Sequence, residues 1–518
     1  MPRPDRRGFR TEAAAGLLLA VLLIQSLGTV VLHSATSDEV THLPSGYVQW
    51  KSGRPLLNPQ HPPLVKLLAA LPLLAVSTPY PFEPARAAEP FYEWQFGPQF
   101  LYGPGSDADR LLLLGRLPIV GLTLLLGLYV FLWAREISGD LGGLLALALY
   151  ALCPTVVAHG QLVTMDMGLS CFATAALYHL RKGLDGGPHV LLAGLCAGAA
   201  LASKFSAVFY LPAFATAVAL VAWRGRISWP RAGSVLATVG ASAFLVVWAS
   251  YFFRDPRRYV EGLLRVNADH APGFQNYLFG MFTSDHLWSY FPIAFLAKTP
   301  VPILLAVAAA AVLAIRRRRS PDPLEEAFLL LPAACFTLAT MALANPMGVR
   351  YLLPVHPLLF IFAGRTACLL TGSRPRLAAG GALALWLAVS AVRIWPDHLS
   401  YFNELVGGPG NGWKILDDSN IDWGQDLKRV RPWMEENGVP EIRLAYAWTA
   451  RPEYYGIRAT PVHVNDWRYT PSPGVYVIST QMLIRGRLEA REKGWKTDWL
   501  DRYTPADRIG YSLYVFRF

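Results

Sequence analysis

The chain is 518 residues long, 53% hydrophobic and 16% charged, where soluble globular proteins average roughly 25% charged. Length alone would allow about three soluble domains, but repeated apolar runs exclude that organisation. The net charge of +11 does not mark a nucleic-acid binder, because the Lys and Arg residues sit at alternate ends of apolar runs rather than in one patch.

The N-terminus carries Arg3, Arg6, Arg7 and Arg10 and is expected on the cytoplasmic side. Residues 13–32 hold no charge and are long enough to cross a hydrocarbon core of about 30 Å. No small-residue cleavage site precedes a polar start, so they read as a first span and not as a cleaved signal. Residues 34–110 form a first outer loop. Within it, 62–76 are apolar but short and interrupted by Pro, and are expected to form a helix lying on the membrane surface. Further spans read as 111–133, 142–158, 161–180, 189–203, 206–223, 233–253, 294–315, 327–344, 351–370 and 377–393, about eleven in all by the length criterion.

Arg135, Arg181 with Lys182, Arg224 with Arg226, the run 316–319, and Arg374 with Arg376 all fall on the side of the N-terminus, as the positive-inside bias requires. The odd count places the C-terminus outside. Residues 254–293, rich in aromatics and His, form a second large outer loop between spans seven and eight. Cys153, Cys171, Cys196, Cys335 and Cys368 all lie in apolar segments and read as small packing residues without disulfides.

Residues 395–518 contain no 18-residue apolar run. Alternating patterns predict strands at 441–446, 474–479 and 511–518. A helix is predicted over 424–437, ending before Gly438. The chain therefore divides into a transmembrane domain, 1–394, and a soluble α/β domain, 395–518.

Several polar residues stand out against this frame. Asp38-Glu39 follows the first span; alone it reads equally well as a solvated loop pair. Downstream, Leu57-Asn58-Pro59-Gln60-His61-Pro62-Pro63-Leu64-Val65-Lys66 adds a His and a Lys to the same outer loop. Lys66 suits either general headgroup pairing or one particular lipid phosphate. Asp166, in Thr164-Met165-Asp166-Met167, is an ionisable group near the outer end of a span, costly and functional by default; capping a tight turn is the bland alternative. Lys204, Arg116, Arg350-Tyr351 and Lys298 are cations at outer ends of spans, against the inside bias. Each alone reads as a snorkelling anchor. Together with Asp38 and Asp166 they suit an anionic phosphate substrate plus a base. In the tail, Asp418, Asn420 and Asp422 are spaced like the start of a calcium loop, but Trp423 stands where the turn Gly belongs and Arg429 where the Glu belongs. An Asx-rich turn capping the next helix fits better, and a carbohydrate-contacting loop is a further reading. No Walker loop, dinucleotide fingerprint or zinc spacing occurs.

These motifs, in this order, resemble the family 39 glycosyltransferases, which include the protein O-mannosyltransferases and, more distantly, the lipid A aminoarabinose transferases. The resemblance rests on Asp38-Glu39, on His61-Pro62-Pro63-Leu64 with Lys66, on Thr164-Met165-Asp166-Met167 and on Ser203-Lys204-Phe205-Ser206. It continues through Tyr290-Phe291-Pro292-Ile293-Ala294-Phe295-Leu296-Ala297-Lys298-Thr299-Pro300 and Arg350-Tyr351-Leu352-Leu353-Pro354. Bacterial members carry tail motifs similar to Tyr401-Phe402-Asn403-Glu404-Leu405 and to the Asp418–Asp426 stretch. The resemblance implies a mainly α, polytopic membrane protein with a C-class (GT-C) helix bundle and a periplasmic α/β domain, in a bacterial inner membrane. It implies transfer of a sugar from a polyprenyl-phosphate donor to a lipid, glycan or protein acceptor on the periplasmic face, with inversion. The tail is unlike the sugar-binding MIR domains of eukaryotic members, which argues against a protein acceptor.

On this scheme Asp38 is the general base, Glu39 orients it or the acceptor, and Asp166 holds the donor sugar or supports Asp38. Lys66, Lys204, Arg350, Tyr351, Lys298 and Arg116 meet the lipid phosphate, while His61 and His286 are further substrate contacts. No cofactor is required, and a divalent metal is left open. The rival classes are a transporter or lipid-linked sugar flippase, which calls for paired halves with broken helices, and a glycan-binding protein whose active site has decayed.

Overall fold

The structure, a computed structural model, describes residues 6–184, 186–268, 275–316, 323–371, 373–463, 465–466, 471–495 and 503–518. Arg3, residues 317–319 of the basic run, and 269–274 of the second outer loop lie outside the described residues.

Every expected span falls on a helical segment, because each apolar run has no means of satisfying its backbone in a membrane except internally. The first is Arg6–Leu32. A 44-residue helix, Ala108–Ala151, breaks at Gly139 and supplies the next two. Met165–Gly183, His189–Ser203, Leu211–Trp223 with the 3-10 turn before it, and Trp229–Ser250 follow. Tyr290–Lys298 and Val301–Ile315 form a pair bent by 115°; Pro300 lies at the break. Pro323–Leu343, the run 349–369 and Arg374–Ile394 complete the bundle. Among the described residues seven helices are long and apolar enough to cross a membrane, or eight with the bent pair counted as one span. The limb after Gly139, Met165–Gly183 and the 15-residue His189–Ser203 fall short of that test.

The first outer loop is not a surface appendage. Its helices Glu39–Ser52, Leu64–Ala70 and Tyr92–Tyr102 fold back onto the bundle. The stretch 62–76, expected on the membrane surface, is the seven-residue helix Leu64–Ala70 and a 3-10 turn, with Val65, Lys66, Ala69 and Ala70 buried. The physical reason is close packing. A Cβ at Gly46 would lie 2.0 Å from the Lys66 carbonyl oxygen, so the absent side chain lets the two helices touch backbone to backbone.

The second outer loop carries the helix Arg257–Ala268 and a hairpin of β1 (Asn276–Leu278) and β2 (Met281–Thr283). The hairpin is tied to the tail by Phe279 N–H to the Ile415 carbonyl (3.0 Å) and Tyr277 O–H to the Trp413 carbonyl (2.7 Å).

After Ile394 the chain returns over the bundle before forming its own sheet. Phe402, Leu416 and Ile421 belong to the core of the helical domain. The sheet that follows has five strands, β3 (Ile442–Ala445), β4 (Ala459–Pro461), β5 (Val475–Ser479), β6 (Asp507–Ile509) and β7 (Leu513–Arg517), in the order β4-β3-β5-β7-β6. β3 pairs parallel with β4 and β5; β7 pairs antiparallel with β5 and β6. The alternation of strand side chains sends Val477, Leu513 and Val515 to one core with Val430, Trp433 and Met434, and Tyr476, Ile478, Tyr514 and Phe516 to the other face. The helix expected over 424–437 starts later, as a 3-10 turn at Leu427–Arg429 and a helix at Val430–Glu436.

Candidate active site

Four charged side chains from four separate segments meet where the first outer loop packs on the bundle. Asp38 stands at the N-terminus of Glu39–Ser52 and Asp166 in the first turn of Met165–Gly183. Lys204 occupies the extended break between His189–Ser203 and the 3-10 turn Phe205–Tyr210. Arg350 lies in the 3-10 turn Val349–Val355. Asp166 Oδ1 accepts from Lys204 Nζ at 2.6 Å, and Asp38 Oδ2 accepts from Arg350 Nη1 at 3.1 Å. The same Arg350 Nη1 lies 3.7 Å from Asp166 Oδ2, an oxygen that is buried and accepts no hydrogen bond. Arg350 Nε donates to Ser419 Oγ at 3.2 Å.

Aromatic faces support both cations. Lys204 Nζ is 4.4 Å from the centre of the Tyr351 ring, and the Arg350 guanidinium is 4.2 Å from that of Trp423, where ring quadrupoles attract positive charge. The four form opposite pairs, and the half-buried Asp418 lies within the field of Arg350 and Asp38. The paired carboxylates differ in access: the Asp38 side chain is 21% exposed and that of Asp166 only 2%. Asp38 is thus the carboxylate a substrate can reach, while Asp166 is sealed on one oxygen by Lys204.

Two imidazoles border this group. His42, one helical turn after Asp38, donates Nδ1–H to the Val163 carbonyl at 2.9 Å, since a carbonyl can only accept. Its ring meets that of His61 edge-on at 4.8 Å. Burial pushes both rings toward the neutral form. For His42, Asp38 opposes that push; for His61, His42, Lys66, Lys204 and Arg350 add to it and hold its pKa well below the usual range.

The other residues singled out from sequence lie elsewhere. Glu39 and Arg116 form a buried pair (2.6 Å) that holds the loop to the bundle. Arg116 also donates to the carbonyls of Val30, His33 and Ser34. Glu39 accepts from Thr36 N–H (2.9 Å), Thr36 O–H (3.0 Å) and Val163 N–H (3.0 Å). No oxygen of Glu39 remains for an acceptor, and Arg116 is closed to a phosphate. Lys66 donates to the Asn58 and His61 carbonyls at 2.7 and 2.8 Å, so it staples its own loop. Lys298 donates to the carbonyls of Leu399 (2.7 Å) and Asn420 and pins the tail to the bundle. His286 bonds the Met341 carbonyl at 2.7 Å on the surface and packs on Trp288. All five are consumed by backbone carbonyls or by each other. Tyr351 is the exception and lies in the cluster.

Sequence reading missed His42, Ser419 and the place of Trp423. His42 had a visible signal, its i, i+4 spacing from Asp38, which puts both on one helix face. Ser419 and Trp423 lie in the Asp418–Asp426 motif, but no local pattern shows that the tail folds back to Arg350. The Asp418–Asp426 stretch behaves as turns: Asp418 Oδ1 accepts from Ser419 N–H, and Asp422 from Gly424 N–H, Trp448 Nε1–H and Gln481 N–H. Among the described residues, the group of His and carboxylate ligand atoms close enough to hold an ion is His33, Asp397 and Asp426. None of these belongs to the Asp38 cluster, and Arg429 already pairs with both carboxylates.

Residues 113–249, which include Asp166 and Lys204, match the family model described as dolichyl-phosphate-mannose-protein mannosyltransferase. No curated protein sequence matches the chain. Among solved structures, ArnT from Cupriavidus metallidurans bound to undecaprenyl phosphate is similar at 13% identity, over 99% of this chain and 98% of that one, with a TM-score of 0.51. Its apo form matches at 14% identity over 96% of each chain, TM-score 0.50. The archaeal oligosaccharyltransferase AglB from Archaeoglobus fulgidus, in complex with an inhibitory peptide and a dolichol-phosphate, matches at 11% identity over 97% of this chain and 74% of that one, TM-score 0.50. These likenesses establish the fold, a GT-C-type membrane helix bundle with a small C-terminal sheet domain.

Proposed function

We propose that this GT-C-fold membrane protein transfers a glycosyl group from a polyprenyl-phosphate donor to an acceptor at the outer face of the inner membrane. The observation that carries the reading is the meeting of Asp38, Asp166, Lys204 and Arg350 from four distant segments. A base and two phosphate partners are what this transfer needs, and nothing in packing alone requires buried charges here.

An apolar groove of about 370 Å³ is lined by the helix that carries Asp166 and by the turn that follows Lys204. Ala207 and Tyr210, on the turn that starts after Lys204, line it, as do Phe214, Val239 and Tyr259. It suits a polyprenyl chain, with the phosphate at Lys204 and Arg350. Relatives of the same fold are described with undecaprenyl phosphate and with dolichol-phosphate bound.

In the reaction the bond from the anomeric carbon to the phosphate oxygen breaks, and the phosphate leaves with the electron pair. Lys204 and Arg350 neutralise that charge. The acceptor hydroxyl forms the new glycosidic bond and gives its proton to Asp38. In the resting state Arg350 is shared by Asp38 and Asp166; an incoming phosphate takes Arg350 as partner and releases Asp38 for this task. Asp166, buried between Lys204 and Arg350, holds the two cations in place for the phosphate. With Asp38 acting as base and not as nucleophile, the displacement is single and inverts the anomeric carbon. On this reading the tail is periplasmic.

Among the described residues, the sharply bent break between Tyr290–Lys298 and Val301–Ile315 is a feature that favours a transporter. Lys298 at that break is closed off by tail carbonyls, so it presents no ion-binding charge. The test is transfer by purified protein given radiolabelled polyprenyl-phosphate sugars and candidate acceptors. Asp38→Asn is expected to lose roughly 10²–10⁴-fold in rate with donor binding preserved. Undiminished transfer by that variant removes the base assignment; lipid-linked sugar moved across proteoliposomes without transfer replaces the enzyme reading with the flippase.

A further inference from the structure

A second hollow lies between the first outer loop and the tail. It is an open cleft of about 360 Å³ between the helix Tyr92–Tyr102 and the β3/β4 edge of the sheet. It continues into a neighbouring hollow of about 440 Å³ that shares Pro98, Arg451 and Glu453. The volume lies within the range of roughly 300–1,000 Å³ common for small-ligand sites.

The lining is aromatic and polar at once. Trp94 is 37% exposed, and Tyr446 and Trp448 border the same space. Arg451 and Glu453 supply a charged donor and acceptor. Thr449 lines the same space, with its hydroxyl buried and without a hydrogen-bond partner. Flat aromatic faces beside convergent donors and acceptors suit a pyranose, which has apolar C–H faces and a rim of hydroxyls. An acyl chain makes no use of Arg451 and Glu453, which stand exposed at the rim. A peptide adding a strand is poorly served: β4 has three residues and ends at Pro461, which has no N–H to offer an edge ladder.

The cleft is joined to the catalytic cluster through its floor. Trp448 Nε1–H donates to Asp422 Oδ1 at 2.7 Å, and Tyr446 O–H donates to the Gly424 carbonyl at 2.9 Å. The residue between, Trp423, is the aromatic face under Arg350. A chain seated in the cleft lies against the same turn that shapes the Arg350 side of the site.

We propose that this cleft is the binding site for a saccharide acceptor, holding sugar units beyond the one that receives the transfer. The assignment of the occupant as acceptor rests on the transferase reading above; the binding itself does not. The test uses the full chain in nanodiscs. Saturation-transfer NMR is run with maltohexaose, chitohexaose and a hexa-uronate, beside a random-sequence octapeptide pool. At least one saccharide is expected to bind through pyranose C–H protons. Its Kd is expected to rise at least tenfold in Trp94→Ala and in Arg451→Ala, with an unchanged melt and unchanged affinity for the polyprenyl-phosphate sugar. Glu453→Gln provides a smaller change at the same rim, and a several-fold loss there supports the same site. Absence of saccharide binding, binding that survives all three variants, or capture of the peptides instead overturns the proposal. Saccharide binding lost in the variants without any transfer by the wild type would leave the cleft standing and remove the transferase. Transfer without saccharide binding would do the reverse.

Discussion

Glu39→Gln separates a chemical role for the acidic loop pair from a structural one. The Glu39 carboxylate accepts from Arg116 Nε and Nη2, from Thr36 N–H and O–H, and from Val163 N–H. A Gln amide keeps one acceptor oxygen and turns an N–H₂ toward donors that need acceptors. Arg116, 0% exposed, then becomes a buried charge without its counter-ion. Breaking such a pair on one side costs about 3–5 kcal/mol, a large share of a typical stability of about 5–15 kcal/mol. The expected result in detergent is a markedly lower melting temperature, with transfer lost in proportion to unfolding. The pair Glu39→Leu with Arg116→Met removes both charges and is expected to recover most of the melt, as replaced buried pairs often do. Burial pushes the Glu39 carboxyl up, but Arg116 and the two backbone N–H groups bring it below the ordinary range. Its stabilisation is then complete above the unfolded-chain pKa of about 4.3 and is lost only as pH falls through the lower folded value. The Gln variant's deficit should therefore be the same at pH 6 as at pH 8, two assay points well above that window. A Glu39→Gln protein that melts like the wild type yet has lost transfer would refute this reasoning and return Glu39 to the chemistry.

Three further outcomes are expected. Lys298→Met orphans the carbonyls of Leu399 and Asn420, at about 1–3 kcal/mol of local stability; limited proteolysis within 395–426 should accelerate, and an unchanged digest would show that the tail docks without this clamp. Burial lowers Lys66 to a pKa of about 7, with Glu93 opposing, so between about pH 7 and pH 10 the unfolded chain holds the extra proton and stability rises with pH. Denaturant titrations at the two ends should show that rise in the wild type and not in Lys66→Met. Burial raises Asp422 to a pKa of about 7 against three neutral donors, so the wild type loses stability relative to Asp422→Asn as pH climbs from about 4 to about 7 and not beyond; a gap that is flat across that window would overturn the assignment.

The helical bundle and the strands β3, β5 and β7 were legible because they repeat a pattern along the chain. Apolar length marks a span, and alternation marks Val475–Ser479 and Leu513–Arg517 as strands. How much of the stretch 62–76 packs on protein was not legible, because an apolar run bearing one Lys looks the same whether it meets lipid or protein; the contact of Gly46 with the Lys66 carbonyl joins distant residues. The helix expected from Gly424 starts later because Asp422 and Asp426 are occupied elsewhere, with Gln481 and Ser512 respectively.

The cations at span ends divide by the partner that holds them. Their place against the expected inside bias was a usable signal, since each buried charge must be compensated to persist. It did not say by what. A backbone carbonyl, a carboxylate and a lipid phosphate are all oxygen acceptors of suitable reach for an ammonium or guanidinium. Lys66, Lys298 and Arg116 are held mainly or partly by carbonyls, which cannot move away, and so they are fixed as structure. Lys204 and Arg350 are held by Asp166 and Asp38 and by aromatic faces. Those carboxylates are side chains, and an incoming phosphate can compete with them for the same donors at similar cost. The separation between clamp and binding site therefore follows from the partner already in place, and only the two cations with exchangeable partners are suited to receive a leaving group.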